Sequence, residues 1–254
     1  MIVRAVGEEL WLFDQNDHAA LCGAMAGAWG VAPFAAPPPP VQRAAEFHDN
    51  GWREWDPRPH LDPMTGHPHS YSRMPPEDYL GIWERGLRRA WDEGEEVGLL
   101  VSLHAMRFFA SKQRPEDREF FAAQRRRQEE ALSQLGAEST EPEALPEPYA
   151  TWHEWIFFWD ALSLFLCEGW KSPWMRTVPT AKGDECELRA ERRQREPPGG
   201  SARLEPYPFQ KPLVLEAPAR VIPRAAYPSQ EALDAAVRAA EQRTVRWMLA
   251  AGAG

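Results

Sequence analysis

Cysteine is scarce. Cys22, Cys167 and Cys186 are the only three in 254 residues, they lie far apart, and none belongs to a CxxC pair. An odd, scattered set excludes a disulfide framework and a zinc knuckle, and fits the reduced thiols of a cytoplasmic protein. Positive charge is also short. With 29 Lys and Arg against 38 Asp and Glu the net charge is −9. A general nucleic-acid binder needs the opposite field, so no nucleic-acid partner is expected, and the run Arg125-Arg126-Arg127 reads as a solvated face. No membrane span is expected either. The longest apolar stretch, Trp155–Cys167, is broken by Asp160 and falls short of the roughly 20 residues a span requires. Met1-Ile2-Val3-Arg4 opens no signal-peptide pattern. The phosphate-cradling loops GxxxxGK[ST] and GxGxxG and the nucleophile elbow GxSxG are missing, which argues against P-loop, Rossmann and α/β-hydrolase chemistry.

What is present is a folding chain. Hydrophobic residues make up 43% and charged residues 26%, ordinary for a globular protein. The length suits one large domain, or one domain with an appendage. The 25 prolines are about twice the usual share and imply long, stiff loops. The 12 tryptophans imply heavy aromatic packing or an aromatic-lined pocket.

Periodicity divides the chain. Met1–Phe13 reads as a short strand or turn pair. Asp14 is placed as the N-cap of a helix Gln15–Trp29, whose alanines and glycines let another helix approach closely. A short helix Val41–Asp49 puts Val41, Ala44, Ala45 and His48 on one face and stops at Gly51. Residues 52–76 are rich in Pro, His and Gly and read as a long loop. Helices follow to about Glu93, then over Glu95–Lys112, Pro115–Leu135 and Tyr149–Glu168; the second and last are apolar nearly all round and therefore central. After Trp170 the texture turns to short strands at Cys186–Ala190, Leu213–Leu215 and Val221-Ile222, with a turn at Pro197-Pro198-Gly199-Gly200. An amphipathic stretch Ser229–Ala250 reads as a closing helix. The expected fold class is mainly α: a helical body over 1–170, with a small antiparallel β-rich extension and the closing helix, 171–254, packed on the same body.

Each apolar helix carries one anomaly. Asp160 is the only ionisable side chain in the run Trp155–Leu166, and His104 interrupts Leu99–Met106. A buried carboxylate needs a partner or a metal. His18 lies on the first turn of its helix, and His48-Asp49 ends the short one. Any single histidine on a helix is more often a packed core residue than a ligand. The joint pattern with Asp160 points to metal, because imidazole and carboxylate together suit hard or borderline divalent ions. Magnesium, manganese, iron, zinc and nickel all fit, and one or two ions are expected.

The order His, His-Asp, His, Asp across helices resembles the HD-domain superfamily of metal-dependent phosphohydrolases. More closely, Asp17-His18-Ala19, His48-Asp49-Asn50-Gly51-Trp52, Trp55-Asp56-Pro57, Val101-Ser102-Leu103-His104 and Trp159-Asp160-Ala161-Leu162-Ser163-Leu164 resemble an uncharacterised bacterial family, a domain of unknown function that is HD-like. The resemblance implies an HD-like helical bundle, with metal ligands at His18, His48, Asp49 and Asp160. It implies a second-metal ligand or phosphate contact at His104. Asp49 and His104 are then the catalytic candidates, and the expected substrate is a small phosphoester or nucleotide. One departure stands out. Catalytic members often follow the His-Asp pair with small-Gly-Lys, whereas Gly51 here precedes Trp52. Arg53, Arg107 or Lys112 are the replacement cations to consider. Trp52 and Trp55 are expected to wall the pocket, while His60, His67 and His69 read as solvated loop residues. Two alternatives stay open: a di-iron oxygenase, which needs a further histidine ligand, and a non-catalytic ligand-binding or regulatory module.

Overall fold

The computed structural model describes residues 1–109, 117–137, 144–169, 173–194 and 199–252. A hairpin of β1 (Ile2–Val6) and β2 (Glu9–Phe13) leads into α1 (Gln15–Ala28), α2 (Pro39–Phe47) and a 3-10 turn (Asn50–Glu54). A second 3-10 turn (Tyr71–Arg73) precedes α3 (Pro76–Asp92), α4 (Glu95–Phe109), α5 (Arg118–Gln134) and α6 (Tyr149–Glu168). The chain then forms β3 (Trp174–Pro179), β4 (Glu185–Gln194), β5 (Gly200–Glu205), β6 (Leu213–Pro223), α7 (Gln230–Arg238) and β7 (Glu241–Ala251). The anticipated Lys112 and the turn residues Pro197-Pro198 lie outside the described residues.

The fold is not the mainly helical bundle anticipated. Seven strands form one sheet in the order β1-β2-β6-β7-β5-β4-β3. It is mixed, since β5 and β7 run parallel while the other neighbours are antiparallel. The first two strands of the chain join this sheet through β2 against β6, with Leu10 opposite Ile222. Such pairing across some 200 residues leaves no local signature, which is why the strands read as two minor pieces.

The closing helix is also corrected. It ends at Arg238, and β7 follows. Val245, Trp247 and Leu249 are buried while Met248 is 46% exposed. A helix would have set Val245 and Met248 on one face; a strand sets them on opposite faces. Likewise Leu213–Leu215 and Val221-Ile222 are one strand, β6, running through Pro218. Proline is accepted there because β2 pairs only with Arg220–Pro223, so Pro218 has a strand neighbour on one side alone.

Both faces of the β1–β2 end are covered. Trp11 and Phe13 join the main core, while Leu10 and Leu12 form a second cluster with Met1, Ile222 and Leu233 of α7. Double coverage explains the unbroken apolar run Leu10–Phe13. The hairpin turns at Gly7, with φ 57°, the left-handed backbone that a two-residue loop demands. The main core lies between the sheet and the helices: α1 packs on β6, and α6 on β1 and β3. Beyond them sit α2 and α4, which contact α6 from the far side. The close approach foreseen for α1 is made by Gly23, where an added Cβ would stand 2.7 Å from Glu46 Cβ of α2.

Candidate metal centre

Four helices bring polar side chains to one buried point. Helix α1 supplies Gln15 and His18, the end of α2 supplies His48 and Asp49, α4 supplies His104, and α6 supplies Asp160 and Ser163. All seven are at least nine-tenths buried. Helix periodicity accounts for the arrangement: the inner helices α4 and α6 are buried over most of their surface, so His104 and Asp160 face neighbouring helices.

The positions are fixed from behind. Asp14 does occupy the N-cap of α1, but its side chain makes no capping bond and pairs with Arg220 instead. The cap is supplied by Asp56, whose Oδ2 accepts from Gln15 N–H. This ties the turn after the His-Asp pair to the start of the helix carrying Gln15 and His18. Asn50 donates to the carbonyls of Phe47 at 2.9 Å and Gly86 at 3.0 Å. Gly51 lies directly on α3, where an added Cβ would stand 2.1 Å from Ile82 O.

Proton accounting defines the site. His48 Nδ1 stands 2.8 Å from Ala45 O; a carbonyl only accepts, so Nδ1 carries the hydrogen. In neutral His48 the Nε2 lone pair is then left buried without a partner, 3.6 Å from Asp160 Oδ1 and 3.7 Å from Asp49 Oδ2. His18 repeats the pattern. Ser163 Oγ donates to Asp160 O at 2.8 Å and therefore accepts from His18 Nδ1 at 2.7 Å. That aims His18 Nε2 at Asp49 Oδ2, 2.8 Å away. With neutral rings, two lone pairs face two carboxylates, and only a proton or a cation between them relieves the clash.

Without a metal, protons answer this demand. Burial alone would lower the His48 pKa, but Asp49 and Asp160 outweigh it and hold it at about 9. Burial works against the Asp49 carboxylate, yet His48 and His18 keep its pKa below the usual value. His104 is pushed well below the usual imidazole range, first by burial and then by His48. It is a neutral ring, with Nε2 3.7 Å from Asp160 Oδ2 and Nδ1 unpartnered.

Among the described residues, two overlapping sets of side chains have the spacing to hold a metal ion: His48, His104 and Asp160, and His18, Cys22 and His48. The first contains a carboxylate. In the second, burial drives the Cys22 thiol well up in pKa, and its sulfur is engaged by Ser163 Oγ and His18 O. Cys22 is a neutral packing group.

Five of the seven, Gln15, His48, Asp49, His104 and Asp160, line a cavity of about 50 Å³ together with Trp52, Tyr71, Tyr79, Trp83, Phe108 and Leu164, while His18 and Ser163 lie behind them. Trp52 is one of these lining residues and is only 2% exposed. Trp55 lies off the cavity and covers His60, ring centroids 3.9 Å apart. Arg53 is exposed and donates to Asn16. Arg107 is exposed, lies over Phe157 and pairs with Glu154. Neither arginine lines the cavity, and nor do His60, His67 and His69. The loop bearing these histidines is tied to α7, with Leu61 N–H donating to Gln230 and Arg58 pairing with Asp234. Tyr71, which ends the loop segment carrying Trp52 and Trp55, joins the wall; sequence reasoning missed Gln15, Tyr79, Trp83, Phe108 and Leu164. A helical signal was present for three: Gln15 precedes His18 by three residues, and Phe108 and Leu164 follow His104 and Asp160 by four.

The whole cluster falls within residues 1–224, the part that matches the family described as a protein of unknown function, DUF3891. The chain belongs to that family. The DUF3891 match ends before α7 and β7, although β7 sits inside the sheet between β6 and β5. No curated protein and no solved structure matches the chain. Among the described residues no helix is long and apolar enough to cross a membrane.

Proposed function

We propose that this cluster is a divalent-metal centre and that the protein is a metal-dependent phosphohydrolase acting on a phosphoester or nucleotide-like substrate. The supporting observation is the pair of imidazole nitrogens, His18 Nε2 and His48 Nε2, turned on Asp49 and Asp160 with their other nitrogens already committed. Backbone and hydroxyl partners that fix a ring this way are the usual outer support of a histidine ligand. His18, His48, Asp49 and Asp160 would hold the ion, in the His, His-Asp, Asp order of HD-type phosphohydrolases. A divalent ion there supplies Lewis acidity toward a phosphoryl oxygen and acidifies water.

The protein groups do the rest. Neutral His104 offers an N–H to a phosphoryl oxygen. Gln15 donates Nε2 to Asp49 at 3.0 Å, while its Oε1 is buried without a partner; that oxygen is free to orient an attacking water. Tyr79, whose hydroxyl burial lifts to a pKa of about 12, remains a donor throughout the physiological range. The aromatic wall keeps bulk water out, which strengthens each of these interactions. The oxygenase alternative is less well served, because the loop histidines it would recruit do not line the cavity.

Elemental analysis of untagged protein, followed by a panel of phosphoesters and nucleotides with several metals, tests the reading. About one ion per chain and turnover that vanishes in Asp49→Ala are expected. Absence of metal together with full stability in Asp160→Ala would mean a structural histidine cluster.

A further inference from the structure

The cavity is too small and wrongly charged to receive a phosphoester on its own. Its volume is about 50 Å³ and no Lys or Arg lines it, whereas organic ligands occupy pockets of roughly 300–1,000 Å³. A second concavity, of about 350 Å³, lies next to it. Its lining includes Arg73, Arg224, Ser70, Ser72 and Glu168. Tyr71 lines the cavity, and its hydroxyl donates to Glu168 Oε1 at 2.7 Å. One hydrogen-bonded pair therefore joins the linings of the two spaces.

Helix α6 sets their spacing. Asp160, Leu164 and Glu168 follow one another at intervals of four residues, on one face of the helix. The first two line the cavity and the third lines the groove. Eight residues of helix place the groove on the order of 12 Å from Asp160.

The charge of the groove is available. Many arginines of this acidic chain are neutralised, as Arg58 is by Asp234, Arg220 by Asp14 and Arg89 by Glu54. Arg73 and Arg224 have no carboxylate partner among the described residues; the Arg224 guanidinium donates to Gly7 O, at 3.4 Å. Asp62 also lines the groove, but its carboxylate already accepts from Met64 N–H and Thr65 Oγ1.

We propose that this groove is an anion subsite of the same active centre: Arg73 and Arg224 bind a second anionic group of the substrate, and the Tyr71–Glu168 pair parts to let one ligand span groove and cavity. The assignment rests on the phosphohydrolase reading and narrows its substrate class to phosphoesters carrying a second negative group on the order of 12 Å from the scissile one.

Hexanediol bisphosphate and hexyl phosphate are the probes. In metal-loaded protein the bisphosphate is expected to show a KM lower by about tenfold or more, the worth of a charge-assisted hydrogen bond. The double variant Arg73→Gln, Arg224→Gln should abolish this preference while leaving metal content unchanged. Calorimetry on chelator-treated protein gives a readout independent of turnover: the bisphosphate should bind wild type and bind the double variant about tenfold more weakly. Tyr71→Ala, which removes the Tyr71–Glu168 pair, should tighten that binding. Equal KM values for the two probes, or a preference surviving in the double variant, would overturn the subsite. If no phosphoester is hydrolysed but the arginine-dependent binding is found, the phosphohydrolase reading fails and the subsite stands.

Discussion

Six of the seven histidines fall into two sets of three. His18, His48 and His104 are buried where four helices meet, within 4 Å of a carboxylate. His60, His67 and His69 lie on the loop between the 3-10 turns, half-buried or exposed. The loop set is as rich in imidazole as the helical one, yet its rings do not converge. His60 covers Trp55, and His67 faces the groove. The contrast shows what turns histidines into a site. His18 and His48 each have one nitrogen committed to a partner on a rigid helix, so the other nitrogen has a fixed direction.

Removing a charge from the helical set should have the largest effect. Asp160 stands within 4 Å of all three buried imidazoles, so Asp160→Ala is expected to retain no ion after dialysis. A bound ion stabilises the fold by about 4 kcal/mol at a thousandfold excess over Kd. A chelator should therefore lower the Tm of the wild type and leave that of the variant unmoved. An equal chelator effect on both would break the contrast between the two sets of histidines.

Next come two residues of the turn that joins the sets. Trp52 is 2% exposed and packs with Trp55 and Ile82. Trp52→Ala should cost about 3–5 kcal/mol of stability, measured by denaturant unfolding. Its wall role is thus inseparable from core packing, and any loss of ligand affinity must be read per folded molecule. Gly51→Ala sets a methyl group against the backbone carbonyl of Ile82, which cannot step aside as a side chain can. A cost of about 1–3 kcal/mol is expected, with weakened metal retention because Asp49 moves with the turn.

Ser163→Ala addresses fixation directly. It leaves every proposed ligand in place and removes the acceptor that holds His18 Nδ1. Metal affinity should fall by about 10–100-fold, with a small change in Tm. An unchanged affinity would show that helix packing alone aims the ring.

The helical layer was far more legible than the sheet, for a physical reason. Helix α6 is observed at Tyr149–Glu168, as its apolar run and following glycine indicate, and Asp160 stood out because nothing else in that run ionises. Helices are closed locally by bonds four residues apart. Strand β7 was taken for helix because the amphipathic α7 precedes it, and its partners β6 and β5 are set by contacts that no local window contains. The cavity's Tyr71, at the far end of a long loop, was legible only as one aromatic of that loop, because its place is set by a contact that no local window contains: its backbone N–H is held by Met1 O at 2.8 Å.

The smallest effect should come from the loop set. His60→Gln, His67→Gln and His69→Gln together remove as many imidazoles as the helical set contains. None of them lines the cavity beside the helical set. The loop itself is held by main-chain bonds that survive substitution, His69 N–H to His60 O and Asp62 N–H to His67 O, both 2.8 Å. The one ring contact at risk is His60 on Trp55, worth about 0.5–1.5 kcal/mol. The triple variant should therefore keep its full metal content by elemental analysis and lose about 1 kcal/mol of stability at most. Loss of metal in this variant would place a loop imidazole in the coordination shell. It would also revive the oxygenase reading, which needs just such a ligand.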